Sequence, residues 1–312
     1  DMFQKGQKTV IEKKKRLFVI SGITFILLPI LIIFLFTSCY AGYSKITVDG
    51  ETRYYRLHTP PNLDPTTPVP LLIALHQFSD TARGMEKLTR FNQLADKENF
   101  IVVYPQGKWR IWKTDPLPNR DTRFLEVLID NLLSKYPIQQ NKIFATGASA
   151  GGMMIQAFAC YSRTLAGIAP VMGSMTRNYA EERKPQRNIP VLIIHGTADP
   201  VVPFNGGETN AGPGRRPVFL SAEDNAEWWA KQYGYSGETI ITQLPDTNPN
   251  DTFSTEVINY NCDPPVFLYK IIGGGHTWPG TKNFYPQFII GPTAPEPNAS
   301  QIIWNFFKYA KQ

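Results

Sequence analysis

Apolar residues along the chain fall into two alternating arrangements. Short unbroken runs sit between prolines, glycines and asparagines: VPLLIALH after Pro68, FIVVY at Phe100–Tyr104, KIFAT at Lys142–Thr146, Leu165–Val171 and Val191–Ile194. Unbroken apolarity over so few residues marks a strand covered on both faces. Between these runs lie stretches with apolar positions three and four apart. Met85–Asn99 carries Leu88, Phe91, Leu94 and Ala95 at helical spacing, and Asp121–Tyr136 has Asp121 as N-cap and Pro137 as stop. Ala150–Tyr161, Val218–Tyr233 and Ser300–Ala310 also read as helices. Lys45–Val48 and Tyr54–His58 predict a leading hairpin. Thr239–Gln243, Thr255–Asn261 and Val266–Ile271 predict late strands. This alternation predicts a mostly parallel central sheet with helices on both faces. The polar, Pro/Gly/Asn-rich stretches at 203–217 and 245–252 predict loops, and no linker divides residues 40–312, which are expected to form one domain.

Ahead of that body, Leu17–Phe36 runs without a charge, LFVISGITFILLPILIIFLF. At roughly 1.5 Å per residue a helix of that length spans about 30 Å, the thickness of a bilayer core. Lys13–Arg16 precede it, and a positive flank stays on the cytoplasmic side, so the body is expected to be exported. The next residues, LFTSC, resemble the lipobox of bacterial lipoproteins, which implies lipidation of Cys39. Phe36 departs from the leucine preferred there, which leaves a plain signal peptide or an uncleaved anchor as alternatives. Residues 1–39 are thus expected to be a leader or membrane anchor, and the protein extracytoplasmic.

Charge changes the picture little. Of the net +6, residues 1–16 contribute +4, so the body holds only +2 and offers no electrostatic case for nucleic acid.

Candidate chemistry begins at KIFATGASAGG, which holds G-x-S-x-G as Gly147-Ala148-Ser149-Ala150-Gly151 between an apolar strand and an apolar helix. That setting is the nucleophile elbow. Ser149 needs a tight turn to expose its hydroxyl, and a glycine on either side removes Cβ atoms that would collide. The Ala150 N–H, at the start of the helix, is placed to donate to an oxyanion. Such a serine needs a base and an orienting acid, in the order Ser, acid, His. His58 and His76 precede Ser149. His195 precedes Asp199, the acid expected at the carboxyl end of the VLIIH strand, so His195 is read as a structural ring. His276, in IIGGGHTWPG, remains as base. Asp224, Asp246, Asp251 and Asp263 are rivals for the acid: Asp224 lies on a helix face, and Asp246 and Asp251 in a polar loop. The second oxyanion donor is expected from His76-Gln77-Phe78, with Phe78 N–H first and Gln77 second. Trp278, Trp109 and Trp112 are expected at the rim, where they would stack on a sugar or aromatic acyl group. Four scattered histidines make poor metal ligands, and no metal or cofactor is expected.

Four segments, LLIALHQFSD, FATGASAGGMM, IIHGTADPVVPFNGG and GGGHTWPG, together resemble the secreted polyhydroxybutyrate depolymerase and feruloyl/acetylxylan esterase family of α/β-hydrolases, over about residues 44–310. Trp228-Trp229 and FLEVLIDNLLSKY also fit. The resemblance implies an α/β-hydrolase fold with Ser149 as nucleophile, Asp199 as acid and His276 as base. It implies a small-molecule or oligosaccharide ester as partner, with feruloyl or acetyl esters of plant polysaccharide fragments ahead of a polyhydroxyalkanoate. A serine peptidase and a non-catalytic surface-binding protein are the other classes such a fold serves. Two positions depart from the family pattern. Gln77 stands where glycine is usual, and Tyr235 stands where a cysteine is common. The second departure implies that Cys262 lacks its usual partner; outside the cytoplasm Cys160 and Cys262 could pair with each other, and buried free thiols are the alternative.

Overall fold

The computed structural model describes residues 41–209, 217–283 and 285–309. The expected leader, Leu17–Phe36, and the expected lipidation site, Cys39, lie outside these residues. Among the described residues no helix is long and apolar enough to cross a membrane.

From Ser44 onward the chain forms one compact unit. Strands β1 (Ser44–Val48) and β2 (Glu51–His58) make the expected hairpin, closed by Asp49 and Gly50, both at positive φ. Then follow β3 (Val69–Leu75), helices α1 (Ala82–Thr89) and α2 (Phe91–Glu98), β4 (Ile101–Pro105), α3 (Arg120–Leu133), β5 (Ile138–Ala148) and α4 (Ala150–Ala159). The second half holds β6 (Gly167–Val171), α5 (Arg177–Glu182), β7 (Val191–Gly196), the short pair β8 (Gly207–Glu208) and β9 (Val218–Phe219), and α6 (Ala222–Lys231). It ends with β10 (Ile240–Gln243), β11 (Ser254–Asn259), β12 (Val266–Ile272), α7 (Gln287–Ile290) and α8 (Ala299–Tyr309).

Ten strands form one sheet in the order β1-β2-β4-β3-β5-β6-β7-β12-β11-β10. Its middle, from β4 to β12, is parallel throughout, and the antiparallel strands sit at the two ends. Alternation along each strand sorts the helices between the faces. Leu71, Ile73, Ile143, Ala145, Val191 and Ile193 join one core with Phe124 and Leu128 of α3, Phe158 of α4 and Trp229 of α6. On the opposite face Phe144 stacks on Phe307 of α8 at 4.6 Å, and Phe100 stacks on Trp304 at 3.8 Å.

Three local expectations need correction. Met85–Asn99 is two helices, because Arg90 takes a left-handed φ of 53° between them. The break frees Thr89 O, and Ser300 Oγ on α8 donates to it at 2.7 Å. Asp121 is not the cap of α3: Asn119 is, and its side chain accepts from Asp121 N and Thr122 N. The 218–233 helix starts at Ala222, where the Ser221 side chain accepts from Asp224 N, and Val218–Phe219 pair with β8 instead. Cys160 and Cys262 are both free thiols. Burial pushes the Cys160 thiol up to about 12, so it stays protonated. Tyr235, in place of a cysteine, packs its ring against Tyr260 at 5.4 Å.

Asp121 instead forms a buried ion pair with Arg53 of β2 at 2.6 Å, joining the antiparallel end of the sheet to α3. Asp121 also accepts from Lys113 N, and the Arg53 guanidinium lies 4.0 Å from the Phe124 ring centroid. Removing one partner of such a pair strands the other charge in the interior. Asp121→Ala is expected to cost about 3–5 kcal/mol in urea unfolding, against about 1 kcal/mol for an exposed pair such as Lys231–Glu227.

Candidate active site

Four parallel strands, β3, β5, β7 and β12, deliver their following residues to the same carboxyl edge of the sheet. In an open α/β sheet that edge is where ligands bind. Ser149 follows β5 and takes φ 51° and ψ −116°, a strained conformation for a residue with a side chain. The strain is enforced by packing. A Cβ on Gly147 would come within 2.4 Å of the Gly151 backbone, and a Cβ on Gly151 within 2.3 Å of Leu75 O. Strand, turn and helix touch backbone to backbone, and only glycine permits it. Ser149 N–H donates to Val171 O at 2.9 Å, and Ser149 O accepts from Met153 N–H at 2.9 Å as α4 begins.

Asp199 lies in the turn after β7, nine-tenths or more buried. Its Oδ1 accepts from Val201 N–H at 2.8 Å and Val202 N–H at 2.9 Å. Its Oδ2 lies 2.7 Å from His276 Nδ1. Burial alone would raise this carboxyl. The charges and hydrogen bonds of His276 and His195 outweigh burial and hold it well below the usual carboxylate range. His276 follows β12 through Gly273, at φ 73°, and its own N–H donates to Ile290 O at 2.6 Å. Gly275 admits that contact, since a Cβ there would lie 2.4 Å from Ile290 O. Among the rivals, Asp246 and Asp251 accept hydrogen bonds from their own loop, at Asn248 N and Phe253 N.

The loop after β3 is organised by His76. A backbone N–H can only donate, so Gly107 N–H at 3.0 Å makes Nε2 the acceptor and puts the ring proton on Nδ1, which donates to Gln77 O at 2.7 Å. Gln77 O also accepts from Asp80 N–H, closing a tight turn with Ser79 at φ 63°. Gln77 itself keeps a negative φ, so the turn tolerates it where the family pattern has glycine.

Ser149, Ala150 and His276 line one cavity of about 410 Å³ together with Gln77 and Phe78. Its other walls include Met153, Phe219, Tyr285, Ile289 and Ile290. None of the three tryptophans expected at the rim lines it. Trp278 is fully buried, and its indole donates to Ser300 Oγ at 3.1 Å. Trp112 is buried and donates to His76 O at 2.8 Å, behind the 76–80 loop. Trp109 is 73% exposed, beside Lys108 and Arg120. Among the described residues the aromatic walls besides His276 are Phe78, Phe219 and Tyr285. Phe219 was hidden by the overlong helix expectation, and Tyr285 by the absence of a motif. The apolar cluster in YPQFII was the available signal for the second. Among the described residues no group of three His, Cys, Asp or Glu side chains is arranged to hold a metal ion.

A parallel sheet that ends in such a serine turn at its carboxyl edge is the α/β-hydrolase fold. Comparison with known proteins narrows the class. The family described as Phospholipase/Carboxylesterase matches residues 116–212. The chain is 30% identical over 269 residues to the putative esterase NocK of Nocardia uniformis subsp. tsuyamanensis, covering 80% of this chain and 77% of that protein. It is 31% identical over 232 residues to the bifunctional acetylxylan esterase/xylanase XynS20E of Neocallimastix patriciarum, covering 73% of this chain and 31% of that protein. It is 29% identical over 233 residues to feruloyl esterase B of Piromyces equi, covering 71% of this chain and 42% of that protein. The chain spans less than half the length of these two fungal relatives. Among solved structures, the acetyl xylan esterase from Aspergillus awamori shares the fold with a TM-score of 0.54 at 17% identity, over 75% of this chain and 94% of that one. The chain belongs to this esterase family of the α/β-hydrolases and is a carboxylic-ester hydrolase.

His76 supplies a test of how the site is held. Burial pushes its imidazole down to about 4, while in the unfolded chain it titrates near 6.5. Between those values the unfolded state binds the extra proton, so stability falls as pH is lowered through that window, by up to about 3 kcal/mol. Urea unfolding at pH 7 and pH 4.5 should show the loss, and His76→Asn should reduce the pH-dependent part.

Proposed function

We propose that the protein is an exported serine esterase in which Ser149 attacks the ester carbonyl, His276 is the base and Asp199 orients it. The observation that carries this reading is the shared cavity: Ser149 and His276 line it, and the Asp199 carboxylate stands 2.7 Å behind His276. The elbow backbone and the depressed Asp199 carboxyl support it further. An ionised Asp199 accepts from His276 Nδ1–H, which leaves Nε2 unprotonated and able to take a proton.

His276 Nε2 takes the Ser149 hydroxyl proton as Oγ bonds to the carbonyl carbon. The carbonyl electron pair moves to oxygen, and the N–H groups of Ala150 and Phe78 hold that oxyanion, with Gln77 N–H as the alternative. When the tetrahedral species collapses, the C–O bond to the alcohol breaks and the alcohol leaves with the proton from His276. Water, deprotonated by the same histidine, then releases the acid and restores Ser149. Each oxyanion donor is worth roughly 3–4 kcal/mol of barrier.

The acyl group is proposed to be aromatic, a feruloyl group on a plant polysaccharide fragment, ahead of acetyl. Phe78, Phe219 and Tyr285 line the cavity, and among the described residues its walls carry no ammonium, guanidinium or carboxylate. Its volume suits a small-molecule ligand. The feruloyl and acetylxylan esterases among the relatives support the same substrates. Export, with a membrane anchor at Leu17–Phe36 or a lipid on Cys39, rests on the sequence pattern of the leader.

A fluorophosphonate probe should label the wild-type protein and leave Ser149→Ala unlabelled. Ester turnover in that variant should fall on the order of 10^5-fold or more. Equal labelling of the two proteins would sink the assignment. Methyl ferulate should be cleaved with a higher kcat/KM than methyl acetate, and a 3-hydroxybutyrate oligomer or a peptide substrate should not be cleaved. The reverse ranking would sink the aromatic acyl group.

A further inference from the structure

His195 does more than close a strand. It ends β7, four residues before Asp199, and is 1% exposed. Its Nε2 lies 2.9 Å from Val202 O and 3.3 Å from Asp199 Oδ2. A carbonyl oxygen only accepts, so the proton sits on Nε2 and is donated to Val202 O, while the carboxylate lies beside the same nitrogen at 3.3 Å. Phe204 meets the ring edge-on at 5.9 Å and fixes its plane. The Asp199 carboxylate is thereby fully occupied. Two backbone N–H groups hold Oδ1; at Oδ2, His276 Nδ1 lies at 2.7 Å and the polar His195 Nε2–H edge at 3.3 Å.

We propose that His195 is a positioning residue for ester hydrolysis, setting the orientation and basicity of Asp199 and, through it, of His276. The proposal rests on the assignment of Ser149, His276 and Asp199 given above. Both imidazoles place positive N–H polarity beside one oxygen. Without the His195 donor, Oδ2 is more basic and stabilises an imidazolium at position 276 better. The ascending limb of the pH–rate profile, which reports loss of that proton, then moves to higher pH. The carboxylate also loses a restraint on its rotation, so the geometry of the base is reached less often. His195 does not line the cavity, so substrate binding is untouched and the loss falls on kcat.

The other charged groups nearby are already engaged. Lys270, beside His195 on β12, turns its ammonium to Glu223 and Glu256, each at 3.4 Å, and lies over the Phe204 ring at 5.5 Å. Among the described residues, Tyr285 is the other titratable side chain in the cavity with His276, and burial raises its phenol.

The test is the kcat, KM and pH profile of para-nitrophenyl acetate hydrolysis for wild type, His195→Phe, His195→Asn, His195→Gln and Ser149→Ala. Phenylalanine keeps the ring and removes the donor. Asparagine is too short to place an N–H at the Nε2 position, and serves as the second loss variant if phenylalanine does not fold. Glutamine reaches that position. Phe and Asn variants should lose about 10–100-fold in kcat, the range seen when a partner that orients a functional ligand is removed. KM should stay within about twofold, and the ascending limb should rise by about half a pH unit. His195→Gln should recover most of kcat and return the limb to its wild-type place. A limb that does not move, or an equal kcat loss in Gln and Phe variants, would overturn the proposal while Ser149→Ala remains inactive. An active Ser149→Ala would instead overturn the underlying site.

Discussion

The site depends on one close approach. At Gly147 and Gly151 the end of β5, the start of α4 and the end of β3 meet at distances that no Cβ could share. The contact brings α4 to the sheet so abruptly that Ser149 is left at positive φ on the wall of the cavity. It also presses the serine turn against Leu75 and His76, and so fixes the 76–80 loop relative to Ser149. The strain is repaid by the parallel middle of the sheet, whose residues are almost wholly buried.

Much of this was legible in the sequence, for a physical reason. Strands covered on both faces must be apolar at every position, and those runs stand out. The glycines around Ser149 are visible because no other residue permits the backbone contact. Asp199 and His276 follow runs that end abruptly in turn residues, and the structure brings their side chains together at 2.7 Å. The Arg90 break was not legible. Residues 88–95 keep helical spacing across it, and the partner that satisfies the freed carbonyl, Ser300, is 211 residues away. The tryptophans were misjudged for a related reason. An aromatic beside a candidate base looks functional, yet Trp278 finds its hydrogen-bond partner inside the protein, and nothing local announces Ser300. Phe219 and Tyr285 reach the cavity through segments with little periodicity.

The two buried histidines outside the proposed catalytic group contrast with each other. His76 is surrounded by backbone and Gln106, and burial keeps it neutral. His195 stands against a carboxylate. One ring serves as neutral scaffolding for a loop, and the other couples a strand end to a charge. In the sequence the two look alike, each following an apolar strand run, His76 after Leu75 and His195 after Ile194. What separates them is the polarity of the atom each ring nitrogen meets.

The buried chain from Trp278 through Ser300 Oγ to Thr89 O bears on how the molecule is made. It ties the histidine loop, two residues past His276, to the last described helix and to a break between helices formed early in the chain. Ribosomes deliver Thr89 first and Ser300 last. The loop that holds His276 therefore acquires this support only when synthesis is nearly finished. A partly made chain carries its serine turn long before it carries a braced histidine loop.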